Sequence, residues 1–130
     1  MLSWKTGVTH LKTVEPGTAV SYGGTWVAQR RSQIATLPVG YADGFGRTFS
    51  NRGSVLIRGQ RAPVVGRVTM DMSLVDVTDV PGVQVHDEVV LVGTQGAQRL
   101  PDEELAELSD TIPYEVMCGI GARVPRVLVD

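Results

Sequence analysis

The chain has 130 residues, 42% of them hydrophobic and 20% charged, which fits one soluble globular domain with a real core and excludes a disordered segment. Its formal net charge of −2 gives no electrostatic footprint for nucleic acid or for an anionic membrane surface. One cysteine, Cys118, leaves no intrachain disulfide and fits a reducing compartment, so the cytoplasm is the expected location.

The first hundred residues carry Gly and Pro at short intervals, with Val, Ile, Thr and Leu between them, which is an all-β signature. In chain order the spacing predicts strands over 2–14, 25–29, 33–39, 54–57, 63–66, 68–78 and 88–93. Turns fall at Glu15-Pro16-Gly17, Asn51-Arg52-Gly53, Arg58-Gly59-Gln60 and Pro81-Gly82. Within the sixth strand, alternation from Val68 to Ser73 places Met70 and Met72 on one face and Asp71 on the other. After Gly96 the pattern changes. Asp102, Glu103 and Glu104 lead a short helix with Leu105 and Leu108 as its apolar face, the acids standing favourably at the positive end of the helix dipole. A second short helix begins near Pro113 and ends by Gly119 or Gly121, and residues 123–129 return as a strand. The expected fold is mainly β: a closed or nearly closed β-barrel with two short helices near the C-terminus, forming a single domain over 1–130. The chain begins directly in strand-like sequence, without a signal-peptide pattern, as expected of a piece of a larger protein. No apolar run approaches the roughly 20 residues that a bilayer-spanning helix needs.

All three tyrosines stand at Gly- or Pro-marked corners: Ser21-Tyr22-Gly23-Gly24, Gly40-Tyr41-Ala42-Asp43-Gly44 and Ile112-Pro113-Tyr114. A phenol at such a corner can be presented to a cleft as a hydrogen-bond donor or as an acid or base. Arg47, Arg67 and Arg123 also lie in Gly- or Pro-rich settings, where a planar donor is useful, although most arginines are simply solvated. The glycine-dense run from Gly40 to Gly46 lacks the Lys-Ser/Thr end of a phosphate loop and fits no dinucleotide fingerprint, so on its own it reads equally as a structural loop. Asp71 alone reads as a solvated carboxylate or a turn cap, and Arg67 alone as a bulge residue facing an anion or solvent. His10, His86 and Cys118 have no metal-ligand spacing, and no metal is expected.

The specific signal is the ordered set. Ala19-Val20-Ser21-Tyr22-Gly23-Gly24-Thr25, Leu37-Pro38-Val39-Gly40-Tyr41-Ala42-Asp43-Gly44, Val65-Gly66-Arg67-Val68-Thr69-Met70-Asp71-Met72, Pro113-Tyr114-Glu115-Val116 and Gly119-Ile120-Gly121-Ala122-Arg123-Val124-Pro125-Arg126 follow one another. Together they closely resemble the C-terminal domain of bacterial alanine racemase, a pyridoxal 5'-phosphate enzyme, over nearly the whole chain.

The resemblance implies a two-domain homodimer in which an N-terminal (β/α)8 barrel holds the cofactor through a Schiff-base lysine. Subunits lie head to tail, so each site takes residues from the partner's C-terminal domain. In that scheme Tyr22 is the catalytic base on the L-alanine face, and Met70 meets the substrate through its backbone. Tyr114 hydrogen-bonds the cofactor phosphate in its own subunit, whereas Tyr22 and Tyr41 reach the partner's site. Tyr41 narrows the entrance, and Arg67, Asp71, Arg47 and Ile112 belong to the entrance and its polar network. Alanine is the implied substrate, with D-alanine for peptidoglycan precursors as the implied product.

Three positions depart from the family pattern: Thr69 where cysteine is common, Met72 where glutamine is common, and Phe45 in place of another aromatic. The only lysines, Lys5 and Lys12, do not match the Schiff-base lysine, so this chain is expected to be inactive alone. A serine or broad-specificity racemase, and a non-catalytic β-barrel binding module, stand as the alternatives.

Overall fold

The computed structural model describes residues 4–20, 26–40, 53–66 and 68–101. They form ten strands: β1 (Trp4–Gly7), β2 (His10–Val14), β3 (Ala19–Val20), β4 (Trp26–Val27), β5 (Ser32–Leu37), β6 (Ser54–Ile57), β7 (Gln60–Pro63), β8 (Ser73–Asp76), β9 (Glu88–Gln95) and β10 (Gln98–Leu100). One antiparallel sheet has the order β1–β9–β6–β7, and β10 pairs the far half of β9. A second has the order β2–β5–β8, and β3 with β4 makes a two-stranded ribbon.

The two-residue period of a strand sends successive side chains to opposite faces. Val55 and Ile57 of β6 and Val89 and Leu91 of β9 enter the main apolar cluster, together with Trp4, Ala35, Leu37 and Val75. Leu56 and Val90 point the other way and pack with Leu100 of β10. In β5, Ile34 leaves the main cluster and joins Val14, Val20, Ala28 and Val65. A register shift between Trp4 and Lys5 opposite β9 accompanies Val92 joining the same cluster as Leu91.

The predicted strand over 54–57 matches β6. The single strand expected over 2–14 is two strands, because Val8 donates to Asp87 O at 3.1 Å while Thr9 donates to Thr36 O at 2.9 Å, carrying the chain from one sheet to the other. The strand expected over 63–66 begins earlier, at Gln60. Arg58 (φ 50°) and Gly59 (φ 74°) form a tight two-residue turn with both residues left-handed, whose twist suits a hairpin. Strand β10 is not in the sequence-based expectation. It returns through Gly96 (φ 59°), and its exposed Gln98 and Arg99 give no apolar alternation.

The closed or nearly closed barrel is likewise corrected. Among the described residues the strands lie in three separate sheets, and the first two are joined by an isolated bridge between Val64 and Val75. The two helices expected near the C-terminus lie outside the described residues, and no helix occurs within them. Among the described residues no helix is long and apolar enough to cross a membrane.

A polar clamp fixes the long connection into β9. Arg58 Nε donates to Asp87 Oδ2 at 2.8 Å and its Nη2 to Oδ1 at 3.3 Å, while the Gln84 amide donates to Oδ2 at 2.9 Å. The Gln84 amide, and then the Arg58 guanidinium, lower the Asp87 carboxyl below its ordinary range. A carboxyl lowered in the fold contributes stability that is fully present above its unfolded value, about 3.9, and is lost as pH falls through the folded value. Asp87→Asn is therefore expected to cost about 1 kcal/mol at neutral pH and to flatten the acid limb of stability below about pH 4. Urea titrations of both forms between pH 3 and 7 check this. Parallel curves with no neutral-pH offset would show that the clamp does not stabilise the fold.

Candidate functional site

Of the eight expected site residues, Met70 and Asp71 are among the described residues; Tyr22, Tyr41, Arg47, Arg67, Ile112 and Tyr114 lie outside them. The chain reaches Met70 after a bend at Gly66, whose φ of 72° is left-handed. It then closes a four-residue corner. The Thr69 amide donates to Met72 O at 2.9 Å, and Thr69 Oγ1 donates to the same oxygen at 3.0 Å.

This corner overturns the alternation expected from Val68 to Ser73. The Thr69 clasp turns the backbone before it can enter a ladder, so regular pairing starts only at Ser73. Met70 is 55% exposed and Met72 43%, and Asp71 is exposed as well, so all three side chains reach solvent rather than dividing between two faces. Among the described residues neither the Met70 nor the Asp71 main chain makes a hydrogen bond, leaving an unengaged amide and carbonyl at an exposed corner.

The start of the glycine-dense run and this corner meet through Gly40. A Cβ at Gly40 would collide with the Thr69 carbonyl oxygen and would lie 2.6 Å from the Met70 carbonyl carbon and 2.7 Å from the Asp71 nitrogen. The requirement is for space, since Gly40 has no left-handed φ. Ser73 completes the arrangement: its buried Oγ donates to Val39 O at 2.5 Å. Two of the five ordered motifs thus touch at Gly40 and Met70. Gly40, Thr69 and Ser73 are absent from the expected site residues; the clustering of Gly40 with Tyr41 is the sequence signal for the first, while nothing in the pattern marks Ser73.

Elsewhere a recess of about 570 Å³ is lined by Trp26, Val27, Gln29, Arg30, Ser32 and Asp76. Three of its polar residues, Arg30, Ser32 and Asp76, are already engaged. Arg30 donates to Asp79 at 2.7 Å, a hydrogen bond that lowers the Asp79 carboxyl and raises the guanidinium. Ser32 Oγ donates to Arg30 O at 2.8 Å, and Thr78 bonds to Asp76. Among the described residues no group of His, Cys, Asp and Glu gathers to hold a metal ion.

The family model of the alanine racemase C-terminal domain matches residues 1–128. The alanine racemase of Halothermothrix orenii is 57% identical over 126 residues, covering 97% of this chain and 33% of the relative. That of Symbiobacterium thermophilum is 58% identical over 125 residues, covering 96% of this chain and 33% of its own length. The chain thus spans about a third of the length of the curated relatives it matches. Among solved structures, Bacillus anthracis alanine racemase with bound L-Ala-P is 40% identical with a TM-score of 0.91, covering 98% of this chain and 32% of that one. Bartonella henselae alanine racemase with covalently bound pyridoxal phosphate is 33% identical, also with a TM-score of 0.91, covering 98% of this chain and 34% of that one.

The exposed corner has a chemical readout. Brief treatment of this chain with hydrogen peroxide is expected to convert Met70 and Met72 to sulfoxides while the β fold persists. Peptide mass mapping beside circular dichroism measures both. Intact methionines at 70 and 72 at doses that already unfold the chain would contradict an open corner.

Proposed function

The chain belongs to the alanine racemase C-terminal domain family, and on that premise we propose that it is the C-terminal domain of a two-domain, homodimeric alanine racemase that interconverts L- and D-alanine. What supports this reading is the match of residues 1–128 to that domain, with Met70 presented on an exposed corner whose main chain is unengaged among the described residues.

Pyridoxal 5'-phosphate, when bound to such an enzyme, supplies an electron sink for the bonds at the substrate's α-carbon. The described residues do not fit its covalent attachment. Lys5 sits exposed on β1, 3.6 Å from Glu88, and Lys12 sits exposed on β2; neither is among the residues lining the recess beside Trp26. Covalent attachment is therefore assigned to a domain outside this chain, and Tyr114 is left as a hydrogen-bond donor to the phosphate. The short helix expected from the sequence to begin near Pro113 would favour an anion at its N–H-rich start.

Racemisation removes a proton from one face of the α-carbon and returns one to the other, so it needs proton-transfer groups on both sides. We assign the L-alanine side to the Tyr22 phenol, acting in the partner's site. A phenol ordinarily titrates near about 10, so neighbouring cationic groups must lower its proton affinity for it to serve as a base near neutrality. Met70 meets the substrate through its main chain, which requires no particular side chain and tolerates methionine's flexibility. Tyr41, Arg67, Asp71, Arg47 and Ile112 form the entrance and its polar network. They select a small substrate by restricting the space around the site.

In the full-length enzyme, Tyr22→Phe removes one hydroxyl and no ring. It is expected to slow solvent-deuterium exchange into L-alanine by about 100-fold or more while cofactor absorbance persists. Wild-type exchange in that variant would dismiss Tyr22 as the base. The 130-residue chain alone, mixed with pyridoxal 5'-phosphate, is expected to show no lysine-linked visible band and no racemisation. A stable band that survives gel filtration would overturn the assignment of attachment to another domain.

A further inference from the structure

We infer that Gly40, Thr69 and Ser73 are positioning residues that together set the place of the Met70 main chain, and through it the place of the substrate. The inference rests on the reading of Met70 given above.

Three independent contacts converge on the corner. Ser73, 1% exposed, holds the Val39 carbonyl at 2.5 Å and so fixes the approach to Gly40 relative to the start of β8. Gly40 then lies against the backbone from Thr69 to Asp71, at a separation that no side chain allows. From the other side, Thr69 closes the corner with two donors on one acceptor, the Met72 carbonyl, at 2.9 and 3.0 Å. Met70 sits between these restraints, with no hydrogen bond of its own main chain among the described residues. A group held by its neighbours while its own donor and acceptor stay open is prepared to receive a ligand without first reorganising. The Thr69 hydroxyl matters here because the Thr69 amide alone would close the corner with one bond, and Oγ1 adds a second to the same oxygen.

The Ser73 contact explains why the restraint reaches the segment ending at Gly40. Val39 and Gly40 directly precede Tyr41 in the sequence, so the hydroxyl of Ser73 ties the segment before Tyr41 to the strand that follows the corner. A shift at either end is transmitted to the other through the Gly40 contact, because there is no slack between the two backbones.

The test uses the full-length, cofactor-loaded enzyme carrying this domain. Thr69→Val keeps the side-chain shape and removes the hydroxyl, whereas Thr69→Ser keeps the hydroxyl. Amide hydrogen exchange over residues 69–73 reads the corner, and initial rates with L-alanine separate KM from kcat. Thr69→Val is expected to speed exchange at Met70–Met72 and to raise KM about five- to tenfold, with cofactor absorbance unchanged; Thr69→Ser returns both toward wild type. Gly40→Ala is expected to show the same effects more strongly; if it does not fold, Thr69→Val decides alone. Wild-type exchange in Thr69→Val would overturn the restraint itself. Faster exchange with an unchanged KM, or a change confined to kcat, would leave the restraint standing but break its link to substrate, and with it the reading of Met70.

Discussion

Ile34 and Ala35 are neighbours in β5, yet they enter different apolar clusters, and Leu56 and Ile57 divide in the same way in β6. Burial on both faces of these strands is the constraint on which the rest of the structure depends. A strand with one wet face can slip in register at the cost of its buried face alone. Where both faces are covered, a slip of one residue exchanges two sets of contacts at once. The central strands are thereby fixed, and the segments leaving them depart from fixed points: Leu37 toward Gly40, and Ser73 toward the corner before it. Leu37 pairs with Ser73 across the ladder, so the segment leading to Gly40 and the Met70 corner lie at the same end of one strand pair.

That common origin accounts for how two sequence motifs about thirty residues apart come together. Neither is long enough to build a surface by itself. The antiparallel pairing of β5 and β8 brings their exits side by side, and the missing side chain at Gly40 lets the two backbones close on each other. Apolar packing decides where the chain leaves the sheet. Hydrogen bonds from Thr69 and Ser73 then decide the local path. The energies involved differ: a buried leucine or isoleucine contributes roughly 1.5–3 kcal/mol by leaving water, whereas one neutral hydrogen bond contributes about 1. The fold can therefore tolerate alteration of the corner far better than alteration of β5.

The strand at β6 is legible in the sequence because Val, Leu and Ile there are bounded by Gly53 and by the Arg58-Gly59 turn. The Met70 corner is not, because Val-Thr-Met-Asp-Met-Ser satisfies a two-residue period while the backbone obeys Thr69, whose hydroxyl has an acceptor three residues ahead. Periodicity registers side-chain polarity and is blind to such a bond. The break at Val8 and Thr9 is hidden for a related reason: both residues suit strands, and what changes between them is the hydrogen-bond partner. The candidate site is legible chiefly through the order of its motifs. Its assembly depends on approach distances, such as that at Gly40, which composition does not record.

Arg58 carries a tension of its own. Its φ of 50° belongs to a region where a side chain is strained and glycine is at ease, yet its guanidinium grips Asp87 and so anchors the connection into β9. Glycine at this position would relax the turn and release the connection; a residue that kept the charge would keep the strain. The two demands cannot be optimised separately, because they fall on the backbone and the side chain of the same residue. Position 58 is thus a compromise built into the hairpin, and improvement there requires a second change elsewhere to take over one of the two roles.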